Sequence, residues 1–544
     1  MRGLTMGQLL DAVVEAHPEN AALAYVDRNF RMTFREFGGL VDGLAKGLVS
    51  LGVRPGEKVA VWAANVPYWI ALQFAAAKIG AVFLTVSTSF RPNEVRHILA
   101  HAEAENLFIT DGFGDLDHVQ TLNDMVPELR SRQRGDLRCP AFPRLRRVMF
   151  LGQEKHRGMY TMPEIMGLGR MVLEQEYLDR QANVKPEHVA VMHYTAGTTG
   201  EAKGAMLTHK SVVVNGRTVG ANQRLTHRDR VCLPVPLFNS FGCVLGVLAA
   251  MACGSTLVVL ESFDPVQVMA AVDHEKCTAL YGTPSMFRAV LDNKLFDRFD
   301  FSSLRTGVVA GAPCPPQTVQ RIMDDLHMPA VAVCYGLTEA ASVIAMTLPD
   351  DTPEMRAAGR LAPLPGVDVR VCAEDGCSMA PGAHGEVRCR GYNVMKGYYK
   401  DPEATAAALD EEGWLRTGDV GALDEEGRLT ITSRIKDMII HDGEHISPLV
   451  VEEFLLTLDG VAQVQVVGVP SAEHGEDVVA FVVLAEGAPL TREDIRDACR
   501  GAIAKYKRPR HVVFVEEFPR SAGGDVQKFK LRDMAAAMFA TQTA

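Results

Sequence analysis

Short apolar runs rich in β-branched residues alternate with helical patterns along most of this chain, and that alternation limits its fold more than any other feature. Residues 58–62 form such a run after the turn Arg54-Pro55-Gly56, residues 71–79 have a helical pattern, and residues 81–86 are again strand-like. The same texture returns at 189–193, 230–234, 255–260, 279–282, 307–310 and 330–334. Short β-rich runs separated by helices predict parallel sheets covered on both faces. From about Gly366 the chain changes to short strands and Gly-rich turns, as at 367–372 and 385–390, which predicts a compact β unit. A boundary is expected at 433–437, after the turn Asp424-Glu425-Glu426-Gly427. Beyond it, 464–469 and 478–483 read as strands and 492–505 as a helix, enough for a small α+β domain.

A chain of 544 residues is long enough for more than one folded unit. Its 47% hydrophobic and 23% charged residues exclude a disordered or collagen-like protein. A net charge of -11 argues against a nucleic-acid partner. The eleven cysteines include no CxxC pair, which favours a reducing compartment, and a cytoplasmic location is expected. Asp11 and Glu15 interrupt the N-terminal apolar pattern, so it is not expected to be the apolar core of a signal peptide. Residues 231–260 carry no charge, but their prolines and glycines predict a strand end, loop, buried helix, turn and strand; no membrane span is expected.

The sharpest local signal is Tyr194-Thr195-Ala196-Gly197-Thr198-Thr199-Gly200-Glu201-Ala202-Lys203-Gly204, directly after a strand-like run. Its glycines let backbone N–H groups approach an anion, Thr195, Thr198 and Thr199 add hydroxyls, and Lys203 adds charge. The spacing is not that of a Walker A loop, and taken alone the segment fits a plain surface turn equally well. Three more short runs follow in order. Cys334-Tyr335-Gly336-Leu337-Thr338-Glu339 supplies an aromatic face, a hydroxyl and a carboxylate. Trp414-Leu415-Arg416-Thr417-Gly418-Asp419 places an acid on a Gly turn, suited to ribose hydroxyls. Ser433-Arg434-Ile435-Lys436-Asp437 falls at the expected boundary.

With these motifs in this order, the chain resembles the adenylate-forming superfamily, particularly its acyl-CoA ligases, from Arg31-Met32-Thr33-Phe34 to Leu531-Arg532. The resemblance implies activation of a carboxylic acid by MgATP to an acyl-adenylate, then rotation of the C-terminal domain and transfer of the acyl group to a thiol, CoA or a carrier arm. It implies an α/β fold: a large N-terminal domain (1–435) of two doubly wound α/β subdomains plus a small β unit, then a small mobile α+β domain (436–544) hinged at Lys436. Thr195, Gly197, Thr198, Thr199 and Lys203 resemble the loop that holds the ATP phosphates. Gly311, Ala312, Pro313, Tyr335 and Gly336 resemble the adenine platform. Thr338 and Glu339 match the phosphate and Mg²⁺ contacts, and Asp419 and Arg434 the ribose ligands. Gly443, with Glu444 and His445, matches the CoA side, where the pantetheine arm passes. Asn239, Phe241 and Gly336 are expected at the acyl group.

The chain departs from the family at one position above all. The usual Pro-Arg-Thr-x-x-Gly-Lys run, whose lysine reaches the α-phosphate and the carboxylate, reads Pro519-Arg520-Ser521-Ala522-Gly523-Gly524-Asp525-Val526-Gln527-Lys528 here. Asp525 stands at the lysine position. At roughly 4 Å and an effective dielectric near 20, one lost attraction is about 4 kcal/mol. That is on the order of a thousandfold in rate. Lys528 or Lys530 would have to shift an anchored loop to compensate. Ala196 for the usual Ser and Asn239 for the usual His point the same way. An enzyme specialised for the second half-reaction is therefore expected, using CoA and an acyl-adenylate of a hydrophobic acid, releasing AMP, and supplied by a separate adenylating enzyme. ATP and Mg²⁺ enter only if adenylation is retained. A complete acyl-CoA synthetase is the alternative, and a non-catalytic nucleotide-binding scaffold is the alternative of another class.

Ordinary roles are expected elsewhere. His193 and His209 read as structural, Cys314 and Cys334 as small hydrophobes, and Glu452-Glu453 as a solvated helix face.

Overall fold

The computed structural model describes residues 3–131, 134–135, 137–195, 202–442, 444–471, 473–500, 502–520 and 526–539, with only the backbone of His445. The chain divides into two compact units, Met1–Asp368 with Cys389–Leu415, and Val369–Arg388 with Arg416–Ala544. The expected boundary at Lys436 lies inside the second unit, in the 3₁₀ turn Ile435–Asp437.

Two sheets organise the first unit. The larger has nine strands in the order Ala362–Pro363, Ala345–Met346, Ala330–Tyr335, Thr306–Val309, Ala279–Gly282, Arg230–Leu233, Thr256–Val259, Ala21–Tyr25 and Phe30–Thr33. The other has seven, in the order Lys203–Thr208, Val189–Thr195, Val82–Val86, Lys58–Trp62, Asn106–Ile109, Arg147–Phe150 and Met159–Thr161. Their central strands pair in parallel, and antiparallel pairing is confined to the margins. Full burial of Lys58–Trp62, Val82–Val86 and Thr306–Val309 explains their continuous apolar sequence, since both faces meet helices. Helices start where proline supplies a preset φ, as at Pro67–Lys78, Pro265–Glu275, Pro284–Leu291 and Pro316–Asp324.

Buried amides join the two sheets. After strand Lys58–Trp62, Asn65 donates to the Val235 and Leu260 carbonyls at 3.0 Å each and accepts from the Leu237 N–H at 2.8 Å. Gln73 donates to the Cys243 carbonyl at 3.0 Å. Such buried bonds carry a full desolvation penalty if broken, so they fix the packing. The uncharged stretch 231–260 resolves into strand Arg230–Leu233, a loop, the wide helical turn Phe241–Gly246, helix Val247–Ala252 and strand Thr256–Val259. Among the described residues no helix is long and apolar enough to cross a membrane.

Val367–Cys372, Gly385–Gly391, Leu415–Leu423 and Leu429–Arg434 form a four-stranded sheet. A five-stranded sheet follows, in the order Glu444–Ile446, Ile439–His441, Gly475–Leu484 and Val461–Ser471, with His511–Phe514 pairing parallel to Gly475–Leu484. Two expectations need correction here. The helix expected over 492–505 ends at Cys499, because Arg500 turns extended (φ -71°, ψ 117°) and Gly501, a poor helix former, comes next. Glu452 does not face solvent. Its side chain is buried, and its role depends on contacts that the local sequence does not display.

The histidines fit the structural reading. His193 is enclosed, with Nδ1 2.8 Å from the Thr85 hydroxyl and Nε2 3.3 Å from the Cys243 sulfur, and burial lowers its pKa to about 4. The His209 Nδ1 accepts the Met6 N–H at 3.3 Å, and burial lowers this ring to about 3. Both folded values lie below the ordinary value, so each contribution is fully present above about pH 6.5 and is lost as pH falls toward 4 for His193 and toward 3 for His209. For His193 the full contribution is on the order of 3 kcal/mol. We therefore expect the first unit's melting temperature to drop between pH 7 and pH 4.5, and to drop less in His193→Gln. Parallel pH profiles for the two proteins would contradict this assignment.

Candidate active site

Strand Val189–Thr195 turns back as strand Lys203–Thr208, and Thr195 pairs with Lys203 across the two. Ala196, Gly197, Thr198, Thr199, Gly200 and Glu201 lie outside the described residues. Lys203 extends its ammonium over the Tyr398 ring, 5.5 Å from the centroid. The Tyr398 hydroxyl donates to Glu339 Oε1 at 2.8 Å, and the Glu339 carbonyl accepts the Met395 N–H at 2.8 Å. Burial and the Glu339 charge raise the Tyr398 pKa, so the phenol stays a donor. One aromatic ring thereby spaces the loop's lysine from the carboxylate.

The second turn follows strand Ala330–Tyr335. A Cβ on Gly336 would lie 1.8 Å from the Ser342 carbonyl oxygen, so only glycine permits this approach. The chain then makes the 3₁₀ turn Thr338–Ala340, and Ala341 and Ser342 take φ of 49° and 86°. Left-handed conformations outside glycine cost of order 1–3 kcal/mol and cluster at functional sites. Here the Ser342 hydroxyl holds the turn by donating to the Ser240 carbonyl at 2.7 Å, and the Ser240 and Thr338 hydroxyls lie 3.3 Å apart. The Asn239 segment and the Thr338 turn are thus tied together.

Gly311, Ala312 and Pro313 are exposed just past strand Thr306–Val309, the parallel neighbour of Ala330–Tyr335. A Cβ on Gly311 would meet Thr283 at 3.4 Å and Phe241 at 3.9 Å, which places Phe241 beside this platform. Asn239 is half-buried, and its carbonyl accepts the Cys243 N–H at 3.0 Å. The Phe241–Gly246 turn is a π-type turn, a form frequent at functional sites. Burial pushes the Cys314 thiol up to about 12 and raises Cys334 as well, which disfavours the thiolate at both.

In the second unit Asp419 and Arg434 sit opposite each other on paired strands, and Arg434 Nε donates to Asp419 Oδ1 at 2.8 Å. Asp419 is buried while Arg434 reaches solvent. Lys436 is exposed in the adjacent turn, where Arg532 donates to its carbonyl at 3.1 Å and to Asp437 Oδ1 at 2.7 Å. Glu444 opens the strand that pairs with Ile439–His441; Gly443 and the His445 side chain lie outside the described residues.

Asp525 also lies outside them, but the residues on either side of 521–525 are described. Arg520 bridges Val526, the Gln527 N–H donates to the Pro519 carbonyl at 2.8 Å, and Arg520 Nη2 donates to Gln463 Oε1 at 2.6 Å. Lys528, the first residue expected to have to shift if it were to act in place of a lysine at position 525, is committed elsewhere. Its ammonium donates to Glu452 Oε1 at 2.7 Å, and that same oxygen accepts the Val466 N–H at 2.7 Å. This contact explains why Glu452 is buried. Sequence reading missed Tyr398, Ser240, Ser342 and the Glu452–Lys528 pair, because each acts through a partner distant in sequence.

The AMP-binding enzyme family model matches residues 10–399, and the model of the AMP-binding enzyme C-terminal domain matches residues 450–524. A putative acyl-CoA synthetase of Bacillus subtilis (strain 168), YngI, is 40% identical over 98% of this chain and 98% of its own. The mitochondrial medium-chain acyl-CoA ligase ACSF2 of Mus musculus is 34% identical over 97% of this chain and 87% of its own. ATP-bound MatB from Rhodopseudomonas palustris shares the fold, with a TM-score of 0.84 at 24% identity over 98% of this chain and 100% of its own.

Breaking a buried ion pair from one side costs about 3–5 kcal/mol, whereas removing both charges is close to neutral. Lys528→Met should therefore speed hydrogen exchange in helix Pro448–Leu455 and strand Val461–Ser471. Adding Glu452→Gln, which still accepts from Val466, should restore most of the protection. Equal exchange in the single variant and the wild type would contradict a structural role for Lys528.

Proposed function

The chain belongs to the AMP-binding enzyme family, in its acyl-CoA ligase branch, and from that premise we propose that it is specialised for the second half-reaction. It transfers an acyl group from an acyl-adenylate to CoA, with ATP-dependent adenylation weak or lost. The observation that carries this reading is Asp525 at the position of the adenylating lysine. Attack of a carboxylate on an α-phosphate gathers negative charge, which a cation stabilises and an aspartate opposes. Support comes from the anchored ends of the loop and from the engagement of Lys528 with Glu452, which remove the nearest substitute. Ala196 and Asn239 weaken the same step.

Thioester formation needs none of those cations. The thiol gives up its proton, its sulfur bonds to the acyl carbon, the mixed-anhydride C–O bond breaks, and AMP leaves with the electron pair. Thr195, Gly197, Thr198, Thr199, Lys203 and Thr338 hold the phosphate, Gly311, Ala312, Pro313, Tyr335 and Gly336 the adenine, and Asp419 and Arg434 the ribose. Asn239, Phe241 and Gly336 border the acyl group. The pantetheine arm enters past Gly443, Glu444 and His445, after the residues beyond the Lys436 hinge rotate and exchange one catalytic surface for another.

Glu339, with one oxygen held by Tyr398, suits a Mg²⁺ that takes its remaining ligands from water and phosphate. Bound there, the ion would neutralise phosphate charge. The apolar texture of 241–245 and 308–314 favours a hydrophobic acid, and the medium-chain acids named for the mouse relative fit that character. A chain that adenylates poorly implies a companion enzyme that makes the adenylate. The relatives named synthetase or ligase favour a second reading, a complete two-step ligase.

Asp525→Lys should raise acid-dependent ATP–pyrophosphate exchange by about tenfold or more, since each 1.36 kcal/mol regained is about tenfold. Acyl transfer from preformed adenylate should change little. Exchange that stays unchanged would place the block at Ala196 or Asn239. Wild-type exchange already at the rate of the lysine variant would overturn the proposal.

A further inference from the structure

Two histidines and an aspartate meet where strands Ile439–His441 and Gly475–Leu484 of the five-stranded sheet pair at their ends. His441 ends strand Ile439–His441, Asp442 turns the hairpin with φ 52°, and His474 directly precedes strand Gly475–Leu484. The backbone fixes these segments to each other. His441 pairs with Gly475, and the Asp442 N–H donates to the His474 carbonyl at 2.9 Å. His474 Nδ1 lies 2.9 Å from Asp442 Oδ1, His441 Nε2 lies 3.8 Å from Asp442 Oδ2, and the imidazole centroids are 4.8 Å apart. One ligand atom from each of the three residues falls within 4.8 Å of the others.

An independent contact sets the chemistry of His441. Its Nδ1 lies 2.6 Å from the Glu476 carbonyl oxygen. A carbonyl only accepts, so Nδ1 carries the hydrogen and the neutral ring turns the Nε2 lone pair toward Asp442. This is the outer hydrogen bond that fixes the tautomer of metal-ligating histidines. A lone pair and a carboxylate then face each other across 3.8 Å, an arrangement that a cation between them stabilises. Arg510 Nη1 reaches Asp477 at 3.3 Å and Glu473 at 3.5 Å, and these acids approach only the other ring nitrogens, Glu473 at 3.6 Å from His474 Nε2 and Asp477 at 4.0 Å from His441 Nδ1.

We propose that His441, Asp442 and His474 bind a divalent transition ion of the Zn²⁺ class. Two imidazoles and one carboxylate suit Zn²⁺ and leave a fourth position for water, whereas Mg²⁺ prefers oxygen ligands alone. Metal–ligand bonds of about 2.0–2.2 Å put tetrahedral ligand atoms roughly 3.3 Å apart. The separations of 2.9 Å and 3.8 Å bracket that spacing, and the three ligand atoms lie within 4.8 Å of one another, so side-chain rotations alone can close the site. His474 is one-third exposed and Asp442 more than half, which leaves a path for the ion. A bound ion would clamp the hairpin that carries Glu444 to the edge of strand Gly475–Leu484. The site stands independently of which half-reaction the enzyme performs.

The test is Zn²⁺ binding to the full chain in competition with a chromophoric chelator, for the wild type, His441→Ala, His474→Ala and Asp442→Asn. The chain's sixteen histidines and eleven cysteines supply background binding, so the difference between proteins is the readout. The wild type should hold about one more equivalent of Zn²⁺ than either histidine variant, and Asp442→Asn should bind it about tenfold or more weaker. Zn²⁺ should slow hydrogen exchange at 439–442 and 474–477 in the wild type only. Metal-free melting curves identify any variant that misfolds, and the remaining variants then decide. Equal Zn²⁺ uptake by the wild type and the folded variants, with no change in exchange, would overturn the site and leave a simple His474–Asp442 ion pair.

Discussion

Parallel strands buried on both faces satisfy their backbone along the ladder and release it only at their ends, so loops at strand ends are where such a sheet meets a ligand. In this molecule the C-terminal ends of three strands, Val189–Thr195, Thr306–Val309 and Ala330–Tyr335, carry Lys203's hairpin, the Gly311 platform and the Thr338–Glu339 turn. Each depends on a close approach or a buried bond behind it. Gly336 is forced by the Ser342 carbonyl, Ser342 is tied to Ser240, and Tyr398 bridges Glu339 and Lys203. These turns are thus fixed by contacts made behind them rather than by their own sequence.

Charge decides what those turns can do. On the proposed reading, a site that binds AMP without an adenylating cation loses one step and retains the surfaces of the other. The C-terminal residues show how little reserve exists. Lys528 lies three positions past Asp525 in sequence, yet its ammonium neutralises the buried Glu452 carboxylate, whose other bond fixes the Val466 N–H. Moving Lys528 into a catalytic role would leave a buried anion without its partner, at a cost of several kcal/mol. Lys528 is therefore not readily available for such a role.

Most of the sheet architecture was legible because buried parallel strands must be continuously apolar, and that texture survives in a single sequence. The strands at 58–62, 279–282 and 330–334 were readable for this reason. The turns of the site were legible because glycine, threonine and acid stand in fixed order along the chain. Contacts made across the fold were not. Glu452 looked like a surface acid since its partners, Val466 and Lys528, lie 14 and 76 residues away. The end of helix Arg492–Cys499 was overrun because the apolar pattern continues past a point where the backbone has already turned extended. Tyr398 and Ser342 carry no motif at all and emerge only from geometry.

The claim that the enzyme performs the second half-reaction is tested most directly by separating the two halves on the wild-type protein. One reaction contains hydrophobic acids with MgATP and CoA, and a matched reaction contains the corresponding acyl-adenylates with CoA. Acyl-CoA and AMP formed from the adenylates, with at most trace product from the acids, is the predicted result. Comparable rates of acyl-CoA formation in both reactions would contradict it and establish a complete ligase that tolerates Asp525.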